Sequence, residues 1–274
     1  MWRIVLRRSS QLTVPFIFFA SMLACHTSSI AGTIRIETKT SVTVAGDILR
    51  VEVTTTNNGD APAHNVQTHL LFLGDTQSGQ IRDLLKQGEP ETSVFANALA
   101  GLHKGRYPLT VLVDFHDANR YPFSAVSCTT FYFKEDVNPD LVCVGDEVSI
   151  QDSGALRFKI KNLGSTSRTI HATLVLPKEI SSPMATMDFK IGAKQEKVAT
   201  FRVNNLAALL GASYPVFCCF EYDSEETHYT AIAEALVAIE KRENWFLRTK
   251  HIWLGAAIIL GAIIAVYQFK RKSP

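Results

Sequence analysis

The chain has 274 residues, 46% of them hydrophobic and 20% charged, with a formal net charge of +2. That balance excludes a disordered chain, which combines low hydrophobicity with high net charge. The slight positive excess sits at the ends: between Gly32 and Ile239 there are 18 Lys+Arg against 24 Asp+Glu, so the central part lacks the basic footprint of a nucleic-acid binder.

Arg3, Arg7 and Arg8 precede an apolar run from Val14 to Ala24 that is too short to span a bilayer and reads as a signal peptide over residues 1–31. Two exits fit. Ser29-Ile30-Ala31 places small residues before a cleavage point at Gly32, and Met22-Leu23-Ala24-Cys25 is similar to a lipobox in which Cys25 is acylated.

From Ile48 to Thr56, apolar and polar residues alternate with period two, as in a half-buried strand, and the run ends in the turn residues Asn57-Asn58-Gly59-Asp60. A second strand follows over Val66–Leu73. The spacing of Ile81, Leu84 and Leu85 predicts one or two helical turns. Further strands are predicted over Ser93–Ala96, from Tyr107 to Phe115, and over Ser124–Phe133. After the charged, proline-broken linker Lys134–Asp140 the grammar begins again: a strand from Leu156 to Lys161, the turn Asn162-Leu163-Gly164-Ser165, then strands over Ile170–Leu176, Lys197–Val203, from Tyr214 to Tyr222, and Tyr229–Ile239.

This is an internal repeat. The twelve residues Asn97–Pro108 return at Asn204–Pro215 with six identities, among them Leu99/Leu206 and Tyr107/Tyr214. A period near 100 residues is too long for a solenoid unit and matches a small domain. Roughly seven short strands per copy predict an all-β fold of two tandem immunoglobulin-like β-sandwich domains, residues 32–134 and 135–240. The short linker predicts sandwiches stacked end to end as a stalk with limited hinge freedom. Residues 241–251 lead to an apolar stretch, Ile252–Phe269, long enough for one C-terminal transmembrane helix, with Lys270, Arg271 and Lys272 in a cytoplasmic tail of residues 270–274. No Asn-x-Ser/Thr sequon occurs, and the expected location is a bacterial cytoplasmic membrane, single-pass, with both domains in the periplasm or outside the cell. Ala257, Gly261 and Ala265 form a small-residue ridge on the anchor, a candidate face for a helix homodimer.

Gly46-Asp47 before a strand, Asn58-Gly59-Asp60-Ala61-Pro62-Ala63 with Asn65-Val66 after it, Pro139-Asp140-Leu141-Val142 opening the second copy, and the Gly-x-Tyr-Pro strand ending at Asp114 together resemble the cell-adhesion-related bacterial domain (CARDB), an immunoglobulin-like surface repeat. The second copy departs by lacking the Asp-Ala-Pro-Ala stretch. The resemblance implies a spacer, adhesion or assembly module without catalysis.

No hydrolase elbow, zinc motif, Cys-x-x-Cys or phosphate loop occurs, so no catalytic, cofactor or metal residue is expected. Two polar turns bear oxygen ligands at alternating positions, Asp114, His116, Asp117 and Asn119 in one copy and Glu221, Asp223, Glu225, Glu226 and His228 in the other. A solvated hairpin accounts for both, whereas Ca²⁺ needs six or more converging oxygens. Outside the signal, four cysteines allow three connectivities. Alternation from Val216 turns Cys218 inward and Cys219 outward; Cys143 with Cys218 is the candidate disulfide, and buried unpaired thiols are the alternative. The expected partner is a protein or envelope component. The alternative, a polysaccharide- or sugar-binding module, would use Tyr121, Phe131, Tyr132 and Phe133, since all three tryptophans lie outside the two domains.

Overall fold

Period-two alternation builds the architecture. In the computed structural model, which describes residues 32–240, Thr249, His251–Trp253, Gly255 and Ile259, Leu49, Val51 and Val53 point into one core while Arg50 and Glu52 face solvent. Leu156, Phe158 and Ile160 repeat the pattern in a second core, with Arg157, Lys159 and Lys161 outside.

The first core is enclosed by β1 (Ile36–Ala45), β2 (Ile48–Asn57), β3 (Ala63–Phe72), β4 (Asp75–Leu85), β5 (Pro90–Ala98), β6 (Lys104–His116) and β7 (Pro122–Phe133). One sheet runs β1-β2-β5, and the other contains β4-β3-β6 with β7 paired to β6. The second core lies among β8 (Leu141–Gly145), β9 (Glu147–Ile150), β10 (Ser153–Asn162), β11 (Arg168–Val175), β12 (Ile180–Ser181), β13 (Thr186–Ile191), β14 (Glu196–Asn205), β15 (Ser213–Ser224) and β16 (Thr227–Ile239). Here β12-β14-β10-β8 face a sheet containing β13-β11-β15-β16, with β9 added in parallel to β16. The described chain is therefore all-β. The expected signal peptide 1–31 and the candidate ridge residues Ala257, Gly261 and Ala265 lie outside the described residues, as does most of the expected span 252–269. Among the described residues no helix is long and apolar enough to cross a membrane.

The repeat is visible in hydrogen bonds. Asn57 and Asn162 are fully buried at the ends of β2 and β10. Each accepts an N–H two residues on, from Gly59 at 3.0 Å and from Gly164 at 2.9 Å. Each also donates to two carbonyls, Ala61 and Leu85 in one copy and Thr166 and Gly192 in the other. Replacing Asn162 with alanine strips partners from three backbone groups, of which the Gly164 N–H is buried, and is expected to cost about 2 kcal/mol, measured as the change in denaturant midpoint at constant m-value. Tyr107 and Tyr214 also play one part. Tyr107 donates its hydroxyl to the His103 carbonyl at 2.8 Å, and the Tyr214 hydroxyl accepts the Leu209 N–H at 2.9 Å, the tyrosine-corner device of immunoglobulin-like sandwiches. The repeated leucines differ. Leu99 is 0% exposed and Leu206 67%, with Ala208 turned to the second core instead.

Two expectations need correction. Residues 81–86 hold no helical turn, because Ile81–Leu85 completes β4 against Ala63–Gln67 of β3. Helical spacing of three apolar residues yields to the ladder, and Ile81 is left exposed. The sandwiches are also not stacked end to end. They lie side by side: Tyr121 and Ser124 meet Ala207 and Glu179 at one end, Cys128 of β7 lies against Cys219 of β15, and β6 meets β16 near His228 at the other end. The outward residues Thr110, Ser124, Cys219 and Thr230 are small enough for close approach and are all buried.

Candidate functional site

The seam between the sandwiches concentrates the molecule's buried polar chemistry. Glu179 follows β11 and is only 2% exposed. Its two carboxylate oxygens accept the Ser124 N–H and the Ser124 hydroxyl, both at 2.6 Å, in the range of charge-assisted bonds. The Ser124 Oγ accepts the Lys178 N–H at 2.8 Å in return, and the Lys178 ammonium pairs with Asp114. Nearby, the Tyr121 hydroxyl donates to the Ala207 carbonyl at 2.8 Å.

At the opposite end β6 and β16 pair in parallel, Lys104 with Thr227 and Gly105 with His228, which joins the two larger sheets into one of nine strands. The His228 ring stacks on Tyr107, centroids 4.3 Å apart, and Thr230 donates to the Arg106 carbonyl at 2.8 Å. His228 Nδ1 lies 2.8 Å from Asp223 and Nε2 lies 3.1 Å from Glu221. Burial alone lowers the pKa of this imidazole, but the bonds to Glu221 and Asp223 outweigh it and the net shift is upward. Burial, with Asp223 and Glu221 adding, pushes Tyr107 up to about 12. Each ring nitrogen lies within hydrogen-bonding distance of a carboxylate, so the protonated ring can donate to both. A raised folded pKa means that its contribution is complete below the ordinary value of 6.5 and is lost as pH rises through the folded value. Thermal stability is expected to fall over that interval in the parent protein, and His228→Gln is expected to flatten this component of the pH profile.

Among the described residues, one cleft of about 310 Å³ opens at the seam against Lys178 and Glu179, and two larger ones open beside it. The larger, about 660 Å³, is mostly apolar, with Leu71, Phe72, Leu112, Val126, Leu174 and Cys219 among its walls. A polar cleft of about 420 Å³ has His171, Asp188, Glu221, Asp223 and His228 along it, and His171 Nδ1 lies 2.7 Å from Asp188. His69 also contacts Ser78 Oγ at 2.8 Å and Asp114 at 3.0 Å. That chain has the composition of a hydrolytic triad, but His69 and Ser78 are cross-strand neighbours in the β3–β4 ladder. Ser78 lies outside all three clefts, and Asp114 also pairs with Lys178. The three side chains link β4, β3 and β6 across the sheet surface.

The polar turns singled out in the sequence have structural uses. Asp117 Oδ1 accepts the N–H groups of Asn119 and Tyr121, both at 2.8 Å, while Glu221 and Asp223 hold His228. Among the described residues no group of three His, Cys, Asp or Glu is placed to hold a metal ion. Cys143 and Cys218 are free thiols facing the second core from its two sheets. Burial pushes Cys143 up to about 12 and Cys218 further in the same direction. Cys219 points outward from its own sandwich, yet is only 3% exposed because the first sandwich covers it, and its sulfur lies 3.5 Å from that of Cys128. Phe131 and Phe133 belong to the first core. Tyr121 tilts onto Phe123 and Tyr132 carries the Arg106 guanidinium. The sequence reading passes over Glu179 and takes Gly105 only as the start of the Gly-x-Tyr-Pro strand. A glycine inside a strand pattern signals close backbone approach, and its counterpart at the repeat offset is Ala212. No comparable signal marks Glu179.

No protein-family model matches the chain, and no curated protein matches it. Among solved structures it is similar to red sea bream transglutaminase, with 10% identity, 76% of this chain and 31% of that one covered, and a TM-score of 0.28. It is likewise similar to Escherichia coli alpha-2-macroglobulin activated by porcine elastase (9% identity, 77% and 22% covered, TM-score 0.30). A Salmonella alpha-2-macroglobulin mutant gives 9% identity, 76% and 16% covered, and a TM-score of 0.31. The chain spans less than a third of each of these proteins, and at such scores the likenesses carry no argument.

Proposed function

We propose that the chain is a non-enzymatic, membrane-anchored envelope protein whose two immunoglobulin-like sandwiches serve as a spacer and docking module for another protein or envelope component. The observation that carries this reading is the seam. Glu179 bound to Ser124 and His228 stacked on Tyr107 tie the sandwiches together at both ends, so a partner held by one is positioned by both. The joined sheet ends in β4 on one side and β13 on the other, and the outer edges of these strands suit β-augmentation. In this reading the signal peptide directs the sandwiches out of the cytoplasm and the segment 252–269 anchors them in a bacterial membrane. The resemblance to CARDB repeats points the same way, and no cofactor is required.

Photo-crosslinkers placed singly at Arg82 on β4, Lys190 on β13 and Arg50 on the outer face of β2 test it in intact cells. An adduct with one envelope protein from Arg82 or Lys190, absent from Arg50, is the expected result. Adducts with glycan, or equal labelling at all three positions, would overturn edge docking.

A further inference from the structure

We infer that Cys128 and Cys219 form a reversible disulfide that bolts the two sandwiches together across the seam. The two sulfurs come from different sandwiches, 91 residues apart in sequence and 3.5 Å apart in space. That is about 1.5 Å beyond a disulfide bond length. Strand parity sorts the four thiols. Adjacent residues of β15 point to opposite faces, so Cys218 and Cys219 cannot pair with each other. Cys218 meets the core that Cys143 also faces, and Cys219 meets Cys128 on the outer face. The candidate pair Cys143–Cys218 is therefore compatible with this one.

The site also has chemical access. Cys219 is part of the wall of the 660 Å³ cleft, and Cys128 is the less buried of the two. The Cys128 thiol pKa is lowered, chiefly by its hydrogen bond with Cys219, while that of Cys219 is raised, which makes Cys128 the attacking sulfur. The oxidant is a disulfide of the glutathione class. Cys128 loses its proton and attacks one oxidant sulfur, and the other leaves as a thiolate that takes up a proton. Cys219, deprotonated in turn, attacks the Cys128 sulfur of the mixed disulfide and expels the second thiol. Two protein thiols are oxidised and one small disulfide is reduced to two thiols. Reduction by excess thiol reverses the sequence and leaves the seam held by its noncovalent contacts, so separation of the sandwiches becomes conditional on redox state.

The test uses the full-length protein in detergent, incubated with oxidised glutathione or with dithiothreitol, alkylated in denaturant and digested without reduction for mass spectrometry. A peptide pair joining Cys128 to Cys219 is expected after oxidation. It should be accompanied by a rise of about 10 °C in thermal midpoint, given the length of the closed loop, and dithiothreitol should reverse both. Cys128→Ser and, as a second variant, Cys219→Ala should each lose the linked peptide and the rise. Cys143→Ala/Cys218→Ala should keep both. Alkylation of Cys128 and Cys219 after oxidation, or linkage of either to Cys143 or Cys218, would overturn the inference.

Discussion

Replacing Glu179 with alanine is expected to destabilise the protein by about 3–4 kcal/mol. The carboxylate is 2% exposed and accepts two short bonds from Ser124. Removing it leaves a buried N–H and a buried hydroxyl without their acceptor, and groups bonded to a charge lose more than neutral pairs do. Glu179→Gln retains one carbonyl oxygen for the Ser124 N–H and should cost about half as much. Ser124→Ala removes the hydroxyl bond to Glu179 and the acceptor of the Lys178 N–H, and should fall between. A double-mutant cycle on Glu179 and Ser124, read by urea unfolding, should give a coupling energy of more than about 1 kcal/mol. Additive losses would mean that the two residues act independently.

Gly105→Ala is expected to pull the sandwiches apart at the other end, at a cost of about 3 kcal/mol. A methyl group at this position would lie 2.1 Å from the His228 carbonyl oxygen and 2.7 Å from its backbone nitrogen. Neither atom can move without breaking the β6–β16 pairing. The backbone also sits at φ +143°, which residues with a Cβ rarely adopt. Overpacking and backbone strain therefore act together. The diagnostic readout is the shape of the thermal transition. The parent should unfold in one cooperative step, and Gly105→Ala should show two, as each sandwich melts on its own core.

Strands β2 and β10 are legible in the sequence because every second residue reports the same face, whereas β1 alternates as cleanly and is passed over. The buried Asn57 and Asn162 are legible as turn chemistry, and Tyr107 and Tyr214 as the repeat's anchors, although only the structure shows what their polar atoms bind. Strand β4 escapes because Ile81, Leu84 and Leu85 carry helical spacing on an edge whose exposure does not alternate. The short strands β9 and β12 hold too few residues for a periodic signal. The seam is illegible for a different reason. Thr110, Ser124, Cys219 and Thr230 occupy outward positions where small polar residues serve a solvated face equally well. Nothing local to Pro177-Lys178-Glu179 indicates that its carboxylate meets Ser124, 55 residues away. Adjacency of Cys218 and Cys219 is obvious in the sequence, whereas their division between a core and a seam requires knowing that the first sandwich covers Cys219.

The most direct test of a two-sandwich body is amide hydrogen exchange of the full-length protein at the Ser124 N–H. That group donates across the seam to Glu179, so its protection reports seam opening separately from unfolding of either core. Side-by-side packing predicts that Ser124 exchanges as slowly as core amides of β6, and that Glu179→Ala accelerates it selectively. Exchange within seconds in the parent protein, with the core amides still protected, would mean that the sandwiches swing freely and would contradict a rigid docking module.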